Sequence, residues 1–227
     1  MALGQAPARG PLRRPHPRTS RPRRPGRHGN RPRRACRRAG SRPSRRRHDT
    51  VHLVGHSLGG AVCLALAESG RLDVRSLTLI APAGLGPEID GGFLQGFLAA
   101  TTADDLEPVL TRLVADPAAL PRGYVAAVLR ERQTKDLVTG QAAMAAALFP
   151  WGRQTVDLRS ALGHHAGPIR LVWGADDRII PSSHAAGIPG HVGVHLLPGV
   201  GHMPNTEAPE ILVRIIAETV RSAGGAG

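Results

Sequence analysis

The stretch Val51 to Ala67, VHLVGHSLGGAVCLALA, constrains this chain more than any other. An apolar run from Val51 to Val54 ends at Gly55, and His56, Ser57, Leu58, Gly59 and Gly60 follow. A small-residue apolar stretch then reads as a buried helix. Strand, sharp turn and helix with a serine at the apex form the G-x-S-x-G elbow that presents a nucleophile. The turn forces the serine into strained φ/ψ. Gly55 and Gly59 are expected to keep β-carbons out of the crowding where strand and helix pass. The Ser57 hydroxyl is then pushed clear of the sheet, beside a helix N-terminus that favours negative charge. The Leu58 N–H is the candidate oxyanion donor. A glycine-rich turn of any α/β protein is the plainer reading, but the flanking strand and helix favour the catalytic one.

The elbow helix is expected to stop near Ser69-Gly70. Ser76 to Ala81 reads as the next strand, giving a βαβ unit and hence a parallel sheet with a right-handed crossover. The near-continuous apolar run of the first strand suits a parallel strand covered on both faces. From about residue 84 to 152 the pattern turns helical. Phe93, Leu94, Phe97 and Leu98 share a face. Leu106, Val109, Leu110, Leu113 and Val114 form a second stripe, with Asp104 or Asp105 as N-cap, and Leu120, Val125, Val128 and Leu129 a third. Five of the six aromatics lie here: Phe93, Phe97, Tyr124, Phe149 and Trp151. The segment reads as a helical cap with its own core, its apolar underside forming a substrate pocket above Ser57. Ile169 to Gly174 and Val192 to Leu197 read as two further strands. Thr206 is the expected cap of a last helix, with Pro209 in its first turn and Ile211, Leu212, Ile215, Ile216 and Val220 on its buried face.

Ser57, Asp177 and His202 each follow a predicted strand, so a parallel sheet brings all three to one edge. Serine needs a base. His202 would take its proton and later return one to the leaving group, while Asp177 would hold the imidazole tautomer. Asp176 is the rival acid; its plainer reading is a turn former. Of eleven histidines, only His202 follows the last strand in a glycine-bracketed loop before a terminal helix. His191 and His195 fall before or inside a strand. His164, His165 and His184 lie in polar connections and read as solvent-facing. The His56 side chain is expected to point away from the hydroxyl and pack at the elbow.

With 227 residues and an apolar fraction of 41%, one good-sized domain is expected. No apolar run reaches membrane-spanning length and no signal sequence opens the chain, so a soluble, cytoplasmic protein without membrane contact is expected. Cys36 and Cys63 suggest neither a metal site nor a disulfide. The net charge of +13 is uneven: residues 1 to 48 hold 17 arginines and no acid, leaving residues 49 to 227 at −4. Residues 1–48 cannot bury enough apolar surface to offset chain entropy and read as a disordered basic segment. Such a segment binds nucleic acid or another polyanion weakly and without sequence preference, if at all. Eight prolines argue against a transit-peptide helix. GC-rich DNA read out of frame gives the same composition, with the join near His48.

Over residues 50 to 222 the sequence resembles the α/β-hydrolase superfamily. The order Ser57, Asp177, His202 is that family's, and Gly174 to Pro181 matches its G-x-x-D-x-x-x-P pattern, which selects Asp177 over Asp176. Ser76 to Ile89 (SLTLIAPAGLGPEI) and Ala147 to Gln154 (ALFPWGRQ) are similar to the α/β-hydrolase-type domain of acetoin dehydrogenase E2, or dihydrolipoyllysine acetyltransferase, components. The resemblance implies an α/β-hydrolase fold: a mostly parallel sheet with a helical cap inserted after the nucleophile βαβ unit. It implies acyl transfer through Ser57 to water, as in ester or thioester hydrolases, or to a thiol such as coenzyme A as cosubstrate, from a small-molecule acyl substrate. Carbon–carbon bond hydrolases share these motifs. No metal or redox cofactor is implied. The family's lipoyl domain, first strands and His-Gly oxyanion loop have no counterpart in residues 1–48; His28-Gly29 has no apolar strand leading into it. Thr50 to Val54 is therefore expected to be an edge strand, and the chain as written a poor enzyme. The opposing reading is a catalytically impaired fragment whose arginine-rich tail binds polyanions.

Overall fold

The computed structural model describes residues 50–134 and 136–224. The expectations for residues 1–48, including Cys36 and His28-Gly29, lie outside the described residues. Four strands form one sheet: β1 (Thr50–His56), β2 (Asp73–Ile80), β3 (Ile169–Gly174) and β4 (Gly193–Leu197), in that spatial order and all parallel. Parallel neighbours require crossover connections. The helix α1 (Leu58–Glu68) joins β1 to β2. The β2-to-β3 crossover carries the cap.

Side chains alternate across the sheet with period two. Leu77 and Leu79 of β2 and Leu171 and Trp173 of β3 join a core with Leu64 of α1. Ile80 and Val172 face the other way, into a second core with Leu197. The central strands β2 and β3 are buried along most of their length. Among the described residues β1 is an outer strand paired only with β2. Its residues alternate between exposed and half-buried, and Val54 is 45% exposed, so it is not covered on both faces. The second strand begins at Asp73, three residues earlier than its apolar run, because pairing with Thr50 and Val51 carries the ladder through polar positions.

The cap comprises α2 (Gly91–Ala99), α3 (Ala103–Leu110), α4 (Tyr124–Arg132) and α5 (Leu137–Leu148). Asp90 caps α2 by accepting from the Phe93 N–H at 3.0 Å. Thr102, not Asp104 or Asp105, caps α3. Its hydroxyl accepts from the Asp105 N–H while the Asp105 carboxylate accepts from the Thr102 N–H, a reciprocal capping box. Three backbone and hydroxyl donors from Thr101 and Thr102 hold the Asp105 carboxyl down to about 2. Leu120 falls outside α4, at the end of a short 3₁₀ turn. Buried Gln154 closes the cap: its Oε1 accepts from the Gly84 N–H at 2.7 Å and its Nε2 donates to the Glu88 carbonyl at 2.8 Å.

After the cap, α6 (Arg159–His164) packs beside α1 and leads into β3. The chain ends in a short α7 (Pro204–Glu207) and α8 (Pro209–Gly224). Thr206 lies inside α7 and caps nothing. Pro209 opens α8, where its fixed φ suits a helix start and its missing N–H costs no bond. Leu212 and Ile215 of α8 pack on Ile80 and Val172.

Candidate active site

Ser57 sits between β1 and α1 with φ 53° and ψ −120°, a left-handed region that costs a non-glycine residue about 1–3 kcal/mol. Neighbouring bonds hold it there. Its N–H donates to the Ile80 carbonyl at 2.9 Å, and its carbonyl accepts from Gly60 at 2.9 Å and Ala83 at 3.0 Å. Gly55 is required as expected, since a β-carbon there would run into the Gly59 backbone and come within 2.7 Å of Cys63 Sγ. The same expectation for Gly59 is wrong, because its β-carbon would meet open space. The close approach belongs to Gly60, where a β-carbon would lie 2.6 Å from Pro82 Cβ. Leu58 is the first residue of α1, so its N–H lies in the turn that has no intrahelical acceptor.

Asp177 and His202 come from the loops after β3 and β4. His202 Nδ1 donates to Asp177 Oδ2 at 2.7 Å, and the two side chains are 3% and 0% exposed. Asp177 Oδ1 accepts from the Ile179 and Ile180 N–H groups at 2.8 and 3.0 Å, and Oδ2 also accepts from Trp173 Nε1 at 3.1 Å. Four donors thus hold a buried carboxylate, the condition under which a buried charge is tolerated. Asp176 does other work: its Oδ2 accepts from the Gly199 N–H at 2.8 Å and fixes the loop that carries His202.

The cap helps to place His202. Its N–H donates to the Leu113 carbonyl at 2.8 Å. The Glu207 carboxylate accepts from the Gly201 N–H at 2.9 Å with one oxygen and from the Ala115 N–H at 2.7 Å with the other. Ser57, Leu58 and His202 line one cavity of about 520 Å³ roofed by α2, α4 and α5.

Two histidines depart from expectation. His56 lines the same cavity, its ring centroid 4.9 Å from that of His202. Its Nε2–H donates to the His202 carbonyl at 2.6 Å, so it braces the loop rather than merely packing. Burial, then the charge of His202, lowers its pKa from the ordinary imidazole value. His184 is 4% exposed, not solvent-facing. It stands edge-on to Trp173 and bonds Glu88 Oε2 at 2.7 Å, the principal cause of a lowered Glu88 carboxyl pKa. Trp151 is 94% exposed and does not line the Ser57 cavity. Trp173, Glu207 and the bracing role of His56 were missed. Their partners lie across loops, and only the G-H-S context of His56 gave a local signal.

Among the described residues, no group of three or more His, Cys, Asp or Glu converges to hold a metal ion. Among them too, no helix is long and apolar enough to cross a membrane.

A model of the alpha/beta hydrolase family matches residues 6–215. The chain is 44% identical over 160 residues to the dihydrolipoyllysine-residue acetyltransferase component of the acetoin cleaving system of Pseudomonas putida, covering 70% of this chain and 42% of that protein. The Cupriavidus necator counterpart is 32% identical at the same coverage, so the chain spans less than half the length of these relatives. It is 30% identical to an epoxide hydrolase of Mycobacterium tuberculosis, over 76% of this chain and 86% of that one. Among solved structures, the meta-cleavage product hydrolase of Pseudomonas fluorescens superposes with a TM-score of 0.67 at 17% identity, over 77% of this chain and 66% of that one. A likeness that weak in sequence speaks for the fold alone. The family match over most of the chain carries the membership: this protein belongs to the alpha/beta hydrolase family.

Proposed function

We propose that the protein is a serine hydrolase acting by acyl transfer, with Ser57 as nucleophile, His202 as general base and acid, and Asp177 as the group that orients His202. One observation carries this reading: the buried 2.7 Å bond from His202 Nδ1 to Asp177 Oδ2, beside the cavity that Ser57 also lines. With Nδ1–H given to the carboxylate, Nε2 is the nitrogen left to accept a proton. Ser57 Oγ attacks the acyl carbon as Nε2 takes its proton. The carbonyl oxygen gains negative charge at the α1 N-terminus, where the Leu58 N–H is the proposed donor. The carbon–oxygen or carbon–sulfur bond then breaks, and Nε2 returns the proton to the departing alcohol or thiol. Water, or a thiol acceptor such as coenzyme A, attacks the acyl-enzyme in the same way and releases Ser57. A fluorophosphonate probe tests the nucleophile. Native protein is expected to label on the peptide holding Ser57, and heat-denatured protein not at all. An unlabelled native protein, or labelling elsewhere, overturns the assignment.

Trp173 enters as a positioning residue, since it donates to the same Asp177 oxygen as His202. A hydrogen bond to a charged group is worth about 1.5–3 kcal/mol. Trp173→Phe keeps an aromatic side chain but removes the N–H, which also donates to the Ile180 carbonyl at 3.0 Å, and leaves a gap where the second ring of the buried indole lay. It is expected to lower kcat roughly tenfold or more while KM stays nearly constant. A KM effect without a kcat effect would make Trp173 part of the core alone.

A further inference from the structure

The cavity above Ser57 bears on what acyl group it takes, an inference that rests on the acyl-transfer reading. Its volume is about 520 Å³. An acetyl group is comparable to two or three water molecules of ~30 Å³ each and would leave most of that space to solvent. The walls are mostly apolar: Phe93 and Phe97 of α2, Val128 of α4, Met144 of α5 and Ile89 contribute, and the two phenylalanine rings stack at 5.9 Å. Asn205 and Gln141, whose buried Oε1 has no hydrogen-bond partner among the described residues, are polar exceptions.

Charge is distributed just as unevenly. Among the described residues no lysine or arginine lines the cavity, and apart from the histidines its only ionisable wall groups are Tyr124 and Glu131. Glu131 is exposed on the last turn of α4. Burial, then the Glu131 charge, pushes the Tyr124 hydroxyl pKa up, so that group stays neutral. Of the neighbouring cap cations, Arg132 and Arg112 make contacts outside the cavity, although the buried Arg132 Nη1 has no hydrogen-bond partner among the described residues. Arg132 Nη2 donates to the Leu98 and Ala100 carbonyls at 3.1 and 2.9 Å, with its guanidinium 4.9 Å from the centre of the Phe97 ring. Arg112 pairs with the Asp90 carboxylate. A carboxylate on the substrate's acyl chain would lose its hydration, find no cation among the described lining residues and meet Glu131.

We infer that the site takes an uncharged, apolar acyl group of medium length, about six to eight carbons or an aryl equivalent, in preference to acetyl and to acyl groups ending in a carboxylate. A buried methylene contributes ~0.8 kcal/mol, about fourfold in rate when the contact is kept in the transition state.

The test compares p-nitrophenyl acetate, p-nitrophenyl hexanoate and mono-p-nitrophenyl adipate, which is the hexanoate with a terminal carboxylate. For hexanoate, kcat/KM is expected to exceed that for acetate by about 30-fold or more, and that for the adipate monoester by about tenfold or more. Ala145 also lines the cavity. Ala145→Leu is expected to cut the hexanoate-to-acetate ratio about tenfold, and Glu131→Gln to narrow the hexanoate-to-adipate ratio several-fold. Acetate equal to or better than hexanoate, or the adipate monoester equal to hexanoate, overturns the inference. Calorimetric titration of the Ser57→Ala protein with methyl hexanoate, methyl acetate and monomethyl adipate separates the two readings, since it needs no turnover. Preferential binding of methyl hexanoate supports the cavity assignment even if the acyl-transfer reading fails. Equal binding, reversed order or no binding of methyl hexanoate overturns it.

Discussion

Ser57→Ala is expected to lower kcat/KM on p-nitrophenyl hexanoate by about 10⁴–10⁶, and His202→Ala by about as much, because the groups act as one unit. The double variant should be no worse than either single one. Without Oγ there is no acyl-enzyme to form. Without the His202 imidazole, Oγ has lost its proposed base and keeps its proton. Asp177→Asn is expected to cost about 10⁴ yet leave measurable activity. The amide retains one acceptor oxygen, but its N–H groups face either His202 and Trp173 or Ile179 and Ile180, where the carboxylate now accepts. Asp176→Asn is expected to cost only a few-fold, since Asp176 receives one loop N–H. Steady-state kinetics on the five purified variants decide the matter. Full activity in Ser57→Ala removes the nucleophile, and a larger loss in Asp176→Asn than in Asp177→Asn reverses the choice of acid.

Much of this arrangement was legible in the chain because it is local. The Ser57 turn needs only a strand, two small residues and a helix, all within 17 residues. The parallel order of the sheet follows from strands separated by helix-length crossovers, and the four strands appear at the expected places. A parallel sheet also gathers loop residues at one edge, so the Asp177 and His202 loops could be paired before any contact was known. What was not legible depends on contacts across distant segments. Glu207 has no local signal in the sequence, yet its two oxygens tie the His202 loop to the cap. His184 reads as a loop histidine, yet it is buried behind Trp173. Asp105 reads as an N-cap because acids favour helix starts, but Thr102 extends the motif by three residues and leaves Asp105 as its reciprocal half. Gly59 belongs to the familiar turn pattern, but the direction in which its missing side chain would point depends on how α1 departs from β1.

That geometry gives two glycine substitutions opposite effects. A β-carbon on Gly174, the last residue of β3, would overlap the Val200 and Gly201 carbonyl oxygens. Those atoms are backbone, in a loop already held by the Asp176–Gly199, Glu207–Gly201 and His202–Leu113 bonds, so they cannot move aside cheaply. The loop must shift, and His202 follows Gly201 directly. The neighbouring Asp176 is bonded to that loop at Val200 and Gly199, but the Asp177 carboxylate has its own anchors on Trp173, Ile179 and Ile180, which resist its following the shift. Gly174→Ala is therefore expected to break the 2.7 Å His202–Asp177 bond. The expected cost is about 10³-fold or more in kcat, with roughly 1–3 kcal/mol of overpacking strain. Gly59→Ala places its methyl in open space within a helix, where replacing glycine stabilises by about 0.4–1 kcal/mol. Denaturant unfolding of the two variants, with kcat on the hexanoate ester, measures both. A Gly174→Ala protein as stable and as active as the parent would show that the β4-to-α7 loop is held less tightly than its bonds imply, and the account of how His202 is positioned would fall with it.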